Sequence, residues 1–240
     1  MESRPKYDCS FIPPELWCDH PAVSHACRVT RECNAFNVIP TVLTTQITLL
    51  YESLCGFCQA FIEEQLGVLV GHEDITKGLE LKLVPYGNTR MEGGELKCQH
   101  GPAECLANMI ESCALHVLVG DGGPEVYWRV GLGFVHAYEG RLAQIKHQRP
   151  TIRDARLALT STFAQLSIKK SKQRKITACY RGKKGKELQI KAGIATRSVA
   201  PDKIDGVPWI VINNFSIKRS QGILLHDFLV MVTRWKNLHS

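Results

Sequence analysis

The chain has 240 residues, 26.9 kDa, 44% hydrophobic and 22% charged, with ten cysteines and a formal charge of +7. That apolar fraction excludes wholesale disorder, and the length suits one domain with elaborations or two small ones. No run reaches the roughly 18 apolar residues of a membrane-spanning helix, and Met1–Cys9 offers no apolar core for a secretory signal.

Residues 1–37 carry Cys9, Cys18, Cys27 and Cys33 with Pro13-Pro14 and little periodicity, so a loop-rich, cysteine-stapled arm is expected. Val42–Tyr51, rich in Thr, Ile, Val and Leu, predicts a buried strand. Cys55-Gly56-Phe57-Cys58 follows, and Phe61, Ile62, Gln65, Leu66 and Leu69 then recur at helical spacing. The CxxC therefore sits on the first turn of a helix that follows a strand. Leu79–Tyr86 alternates apolar with charged residues and predicts a second strand, and Glu104–Leu118 an amphipathic helix.

Between Val119 and Lys175 eleven Lys and Arg face four acids, a surplus equal to the whole formal charge, and the stretch has no cysteine. It reads as a basic insertion, 119–175, splitting the domain into parts 38–118 and 176–240. Beyond it, Glu187–Ile194 predicts a short helix, Val207–Ile212 a strand opened by Pro208, and Ile223–Trp235 a final helix. This order predicts an α/β fold of thioredoxin type with a cysteine-rich N-terminal arm.

Ten cysteines without a secretory signal conflict, because reducing cytosol rarely supports a disulfide framework; metal binding, redox chemistry or a truncated N-terminus would resolve it. At a helix start, Cys55 meets unpaired N–H groups and the positive dipole end, which favour its thiolate as the attacking group. Cys58, one turn in, is placed to resolve a mixed disulfide. A zinc half-site or a structural bridge are the alternatives. Zinc needs two further ligands, and the nearest candidates, Cys98, His100 and Cys105, lack a second CxxC spacing. For Cys98–Cys113, with three cysteines, His100 and Glu104, disulfide stapling and a helix start at Gly101-Pro102 are preferred over a metal site.

The pattern C-Q-H-G-x2-E-C-x2-N-x4-C, filled at Cys98, Gln99, His100, Gly101, Glu104, Cys105, Asn108 and Cys113, resembles the signature of the gamma-interferon-inducible lysosomal thiol reductase family. Pro13–Cys18, Tyr51–Cys58, Leu83–Asn88 and Val207–Asn213 resemble the same family, so the likeness covers 9–118 and 176–235. The resemblance implies a thioredoxin-like reductase of protein disulfides in an acidic endosomal or lysosomal compartment, or a secreted one. Cys55 would be its nucleophile, Cys58 its resolving thiol and Pro208 a cis-proline facing them. The other eight cysteines would be mostly structural, as would the remaining signature residues. At pH 5 an ordinary thiol is under about 0.1% thiolate, so a depressed Cys55 pKa is expected. No cofactor is expected beyond an external thiol, and the partners would be disulfide-containing proteins. Lys169–Lys175 looks like a nucleic-acid patch, but aromatic interleaving is sparse and nucleic acid is not the expected partner. The oligomeric state stays open.

Two departures stand out. The basic block, either a genuine insertion or translated intron, has no counterpart in the family pattern, and family cysteines before Cys179 and in Leu224–Trp235 are absent. Asn214-Phe215-Ser216 is the only glycosylation sequon, with Asn214 its acceptor. The alternative function is a non-enzymatic, secreted cysteine-rich binding protein with a structural Cys55–Cys58 bridge.

Overall fold

A computed structural model describes residues 8, 9, 12, 14–35, 45–145 and 150–238. Two short helices, α1 (Pro21–Ala26) and α2 (Thr30–Ala35), lie in the arm. The bridges Cys9–Cys27 and Cys18–Cys33 staple it, and buried Trp17 and Val29 seat it against Phe215 and Ile217. The arm is therefore more ordered than a loop, because two bridges remove chain entropy that so little apolar area could not offset.

Strand β1 (Thr45–Tyr51) leads into α3 (Gly56–Phe61), which passes through a π turn at Ile62–Leu66 and a 3-10 turn at Gly67–Leu69. The expected helix over this stretch is thus three segments, its apolar residues still inward: Phe61, Ile62, Leu66 and Leu69 are all buried. The expected strand residues 42–44 lie outside the described residues. After α4 (Glu73–Thr76) come β2 (Leu79–Pro85), a small hairpin of β3 (Arg90–Glu92) and β4 (Glu95–Lys97), and the long helix α5 (Pro102–Leu118). Pro102 opens α5, where its missing N–H costs nothing.

The chain continues through α6 (Pro124–Val126), α7 (Leu132–Ala143), α8 (Ile152–Gln165), α9 (Lys170–Arg181) and α10 (Lys183–Ser198). It closes with β5 (Ala200–Pro201), β6 (Trp209–Ile212), β7 (Phe215–Ser216), α11 (Gln221–His226) and α12 (Phe228–Leu238). The expected short helix at 187–194 is the middle of α10, and the expected final helix is divided at Asp227.

The five-stranded sheet runs β2-β1-β6-β7-β5, with β1 parallel to β2 and antiparallel to β6. A βαβ unit and a ββα unit thus share one sheet, which is the thioredoxin-like α/β arrangement anticipated from element order. Alternation along β1 divides the core: Ile47, Leu49 and Tyr51 face the larger cluster, Leu50 the smaller one under α10.

The described residues of 119–175, expected as a basic insertion, are mostly helical and share the main core. Trp128, Phe134, Val135, Tyr138, Leu142, Leu159 and Phe163 are all buried there. Trp128 Nε1 donates to the Leu79 carbonyl at 2.9 Å, and the Leu83 N–H donates to Tyr127 Oη at 2.9 Å, so the segment also covers the open edge of β2. The basic surplus belongs to the solvent side: Lys169, Lys170, Lys172, Arg174 and Lys175 are exposed. Among the described residues no helix is long and apolar enough to cross a membrane.

Candidate active site

Cys55 is the N-cap of α3, and its Sγ accepts the Cys58 N–H at 3.4 Å. The preceding Leu54 is left-handed at φ 65°, a conformation costly for a residue with a side chain, and it turns the chain sharply from β1 into α3. The Cys55 thiol faces the Val207 carbonyl at 3.9 Å, and the Val207–Pro208 peptide is cis. The loop before β6 therefore lies across from the CxxC, with half-buried Pro208 beside it.

The two thiols differ sharply. The Cys58 thiol, by hydrogen bonding to Cys55, holds the Cys55 pKa down at about 7; N–H groups of Cys58 and Phe57 assist, against burial and the Glu52 charge. Cys58 is fully buried, and burial pushes its pKa far up, as does the Cys55 sulfur beside it. Phe57 between them is 82% exposed and separates two grooves. One is lined by Cys55, Arg90, His100 and Val207, the other by Phe61, Pro208, Trp209 and Leu225.

The signature residues gather behind the first groove. Asn88 N–H donates to Glu52 Oε2 at 2.7 Å, and Asn88 Nδ2 to Gln99 Oε1 at 2.8 Å. His100 places Nδ1 2.8 Å from Glu104 Oε2 and 3.6 Å from Glu52 Oε1. Asn108 Oδ1 accepts the Ser53 N–H at 2.8 Å, which fixes the backbone just before Leu54. Gly101, at φ 85°, turns the chain into α5. Burial raises the pKa of both Glu52 and Glu104, and for Glu104 the Glu52 charge adds to the rise.

Cys98 is bridged to Cys105 and Cys113 to Cys179, the latter tying α5 to α9. Bridged sulfurs offer no thiolate, so of the three zinc candidates only His100 keeps a ligand atom. The ligand atoms of Glu52, His100 and Glu104 lie within 4.8 Å of one another, already joined by the contacts above. Asn214 is exposed in the turn joining β6 to β7, with Asn213 and Asn214 both at positive φ as the tight hairpin requires.

Sequence reasoning did not place Glu52 and Asn88 beside Cys55, and it did not bring Glu111 and Glu139 together. One signal was readable: Glu104, Asn108 and Glu111 recur at helical spacing, a polar stripe on a helix that is buried along the same side.

A thioredoxin-like domain with two free, buried thiols at a helix start, Cys55 lining a groove, and a cis-proline loop opposite has the geometry of a dithiol–disulfide class of site. Residues 46–130 match the family model of Gamma interferon inducible lysosomal thiol reductase (GILT). A goldfish (Carassius auratus) gamma-interferon-inducible lysosomal thiol reductase is 29% identical over 215 residues, covering 85% of this chain and 74% of the relative. The mouse (Mus musculus) protein of that name is 26% identical over 81% of this chain and 74% of the relative. An Arabidopsis thaliana gamma-interferon-responsive lysosomal thiol protein is 27% identical over 70% of this chain, which spans 61% of it. The family resemblance read from the sequence is thereby borne out.

Proposed function

We propose that the protein is a thiol–disulfide oxidoreductase that reduces disulfides of protein substrates. The observation that carries this reading is the asymmetry of the CxxC: Cys55 held down at about 7 and Cys58 fully buried and pushed far up. The thiolate of Cys55 attacks a substrate disulfide, forming a Cys55–substrate disulfide and expelling one substrate thiolate, which takes a proton from solvent. Cys58 loses its proton and attacks the Cys55 sulfur, which forms the Cys55–Cys58 disulfide and releases the second substrate thiol. Substrate is reduced by two electrons and the protein oxidised by two; an external thiol returns it to the dithiol.

Phe57 and the two grooves beside it supply the apolar surface on which a polypeptide would lie, with Pro208 opposite the attacking sulfur. A thiol with a pKa of 7 is about 1% thiolate at pH 5, some 30-fold more than an ordinary cysteine. That supports work in an acidic compartment, in keeping with the word lysosomal in the relatives' names. Reduction of insulin disulfides at pH 4.5 and pH 7 tests the reading. Activity should vanish in Cys55→Ser, while Cys58→Ser should accumulate a mixed disulfide through Cys55. Full activity in Cys55→Ser would overturn it.

A further inference from the structure

Behind the redox loop, on the side away from the grooves, two carboxyl groups meet. Glu111 from α5 and Glu139 from α7 are 0% and 1% exposed, and the two carboxyl groups are close enough to act directly on each other's ionisation. Two ionised carboxylates cannot share such a contact in a dry interior, so the contact needs a proton between them. The oxygens left after ordinary hydrogen bonds are assigned, Glu111 Oε1 and Glu139 Oε1, agree with this: each is buried and lacks a conventional donor.

The groups facing the pair are neutral. Tyr51 from β1 and Ser53 face Glu111; Gln59 from α3, Ser53 and the Leu54 backbone N–H face Glu139; Tyr138 lies alongside both. Among the described residues no ion pair reaches either carboxylate. Burial raises both pKa values, the Glu139 charge adds to the rise at Glu111, and the two groups titrate as one unit.

What the pair holds is the redox loop, at both ends. Ser53 Oγ donates to Glu111 Oε2 at 2.9 Å, and Gln59 Nε2 donates to Glu139 Oε2 at 2.8 Å. Between them lie Leu54 at its positive φ, whose N–H faces Glu139, and the two cysteines. A left-handed leucine persists only where its surroundings over-determine it.

We propose that Glu111 and Glu139 are positioning residues of the redox site, sharing one proton in a buried carboxyl–carboxylate pair that clamps Ser53–Gln59 in the conformation placing Cys55 at the start of α3. Deprotonation of the pair loosens the clamp, so the loop is held more firmly in acid than in alkali. The clamp stands on the hydrogen bonds from Ser53 and Gln59 and on the burial of the two acids; its bearing on catalysis rests on the reductase reading.

The test uses the reduced full chain and the variants Glu139→Gln, Glu111→Gln and Glu139→Ala, with thermal melts and hydrogen exchange of a 52–60 peptide between pH 5 and pH 9. Glutamine donates permanently and replaces the shared proton. Both Gln variants should therefore keep slow exchange while losing part of the fall in Tm that the wild type shows as pH rises. Glu139→Ala should speed loop exchange at least about tenfold and move the Cys55 alkylation midpoint up from about 7. Parallel pH profiles for wild type and both Gln variants would overturn the proposal, as would unchanged exchange and an unchanged midpoint in Glu139→Ala. If Glu139→Ala does not fold, the Gln profiles decide alone. Melts and exchange read the loop whether or not the protein reduces disulfides, so this proposal and the reductase reading fail separately.

Discussion

Gly87 presses its α-carbon against the Glu52 side chain so closely that a β-carbon there would collide with Glu52 Oε2 and Cβ. The glycine also sits at φ 54°, where a side chain is strained in any case. One position in the turn after β2 thus sets where the carboxylate beside Cys55 lies. Gly87→Ala should cost about 1–2 kcal/mol for the backbone alone, more with the collision, and should displace Glu52. Thermal melts measure the loss; a Tm within error of wild type would contradict it.

Glu52 acts on the cysteine by charge, and its negative end opposes the thiolate of Cys55. Glu52→Gln removes that charge and retains an oxygen able to accept the Asn88 N–H. The Cys55 alkylation midpoint should fall below about 7, and by more than any change in Tm would suggest. An upward shift would show that Glu52 supports the thiolate instead.

Four buried acids, Glu52, Glu104, Glu111 and Glu139, have raised pKa values, and the sign of their linkage is common to all. Each is neutral more readily in the folded chain than in the unfolded one. The stability this confers is complete below the unfolded carboxyl pKa of about 4.3 and is lost as pH climbs toward the folded values. Melting temperature should accordingly decline from pH 4.5 to pH 8. A rise over that window would contradict the burial of these groups.

The bridges close loops of very different length. Cys113–Cys179 spans 66 residues and Cys98–Cys105 only 7. Chain entropy gives about 4 kcal/mol for the first and about 2 kcal/mol for the second. Paired Cys→Ala replacement, followed by urea unfolding, should rank them in that order. Equal losses would mean that local packing outweighs loop closure.

Removing 119–175 should abolish folding, because it would strip Trp128 from β2 and Phe134, Tyr138 and Leu142 from the core. Phe134→Ala alone should cost about 3–5 kcal/mol. A deletion variant with a cooperative melt would show the segment to be dispensable.

The dithiol was legible because its chemistry is local: Cys55, Cys58 and the helix they open are contiguous, and Pro208 announces itself at a strand start. The packing of the described residues of 119–175 was not legible in the sequence, for a physical reason. Exposed lysines and arginines dominate the segment's composition, while Trp128, Phe134, Tyr138, Leu142 and Phe163, scattered among them, do the packing. Glu52 and Glu139 were invisible because each matters through residues far off in sequence, Gly87 and Asn88 for one, Glu111 for the other. Nor could spacing choose the bridges: eight cysteines allow 105 pairings, and the neighbours Cys105 and Cys113 on α5 take different partners.

Alkylation of the reduced protein across pH 4 to 10, read cysteine by cysteine by mass spectrometry, distinguishes Cys55 as the nucleophile from Cys58 as its resolving partner. Cys55 should be modified with a midpoint near 7, and Cys58 should stay unmodified while the fold is intact. A Cys55 midpoint at or above the ordinary thiol value of about 8.5, or Cys58 reacting first, would contradict that assignment.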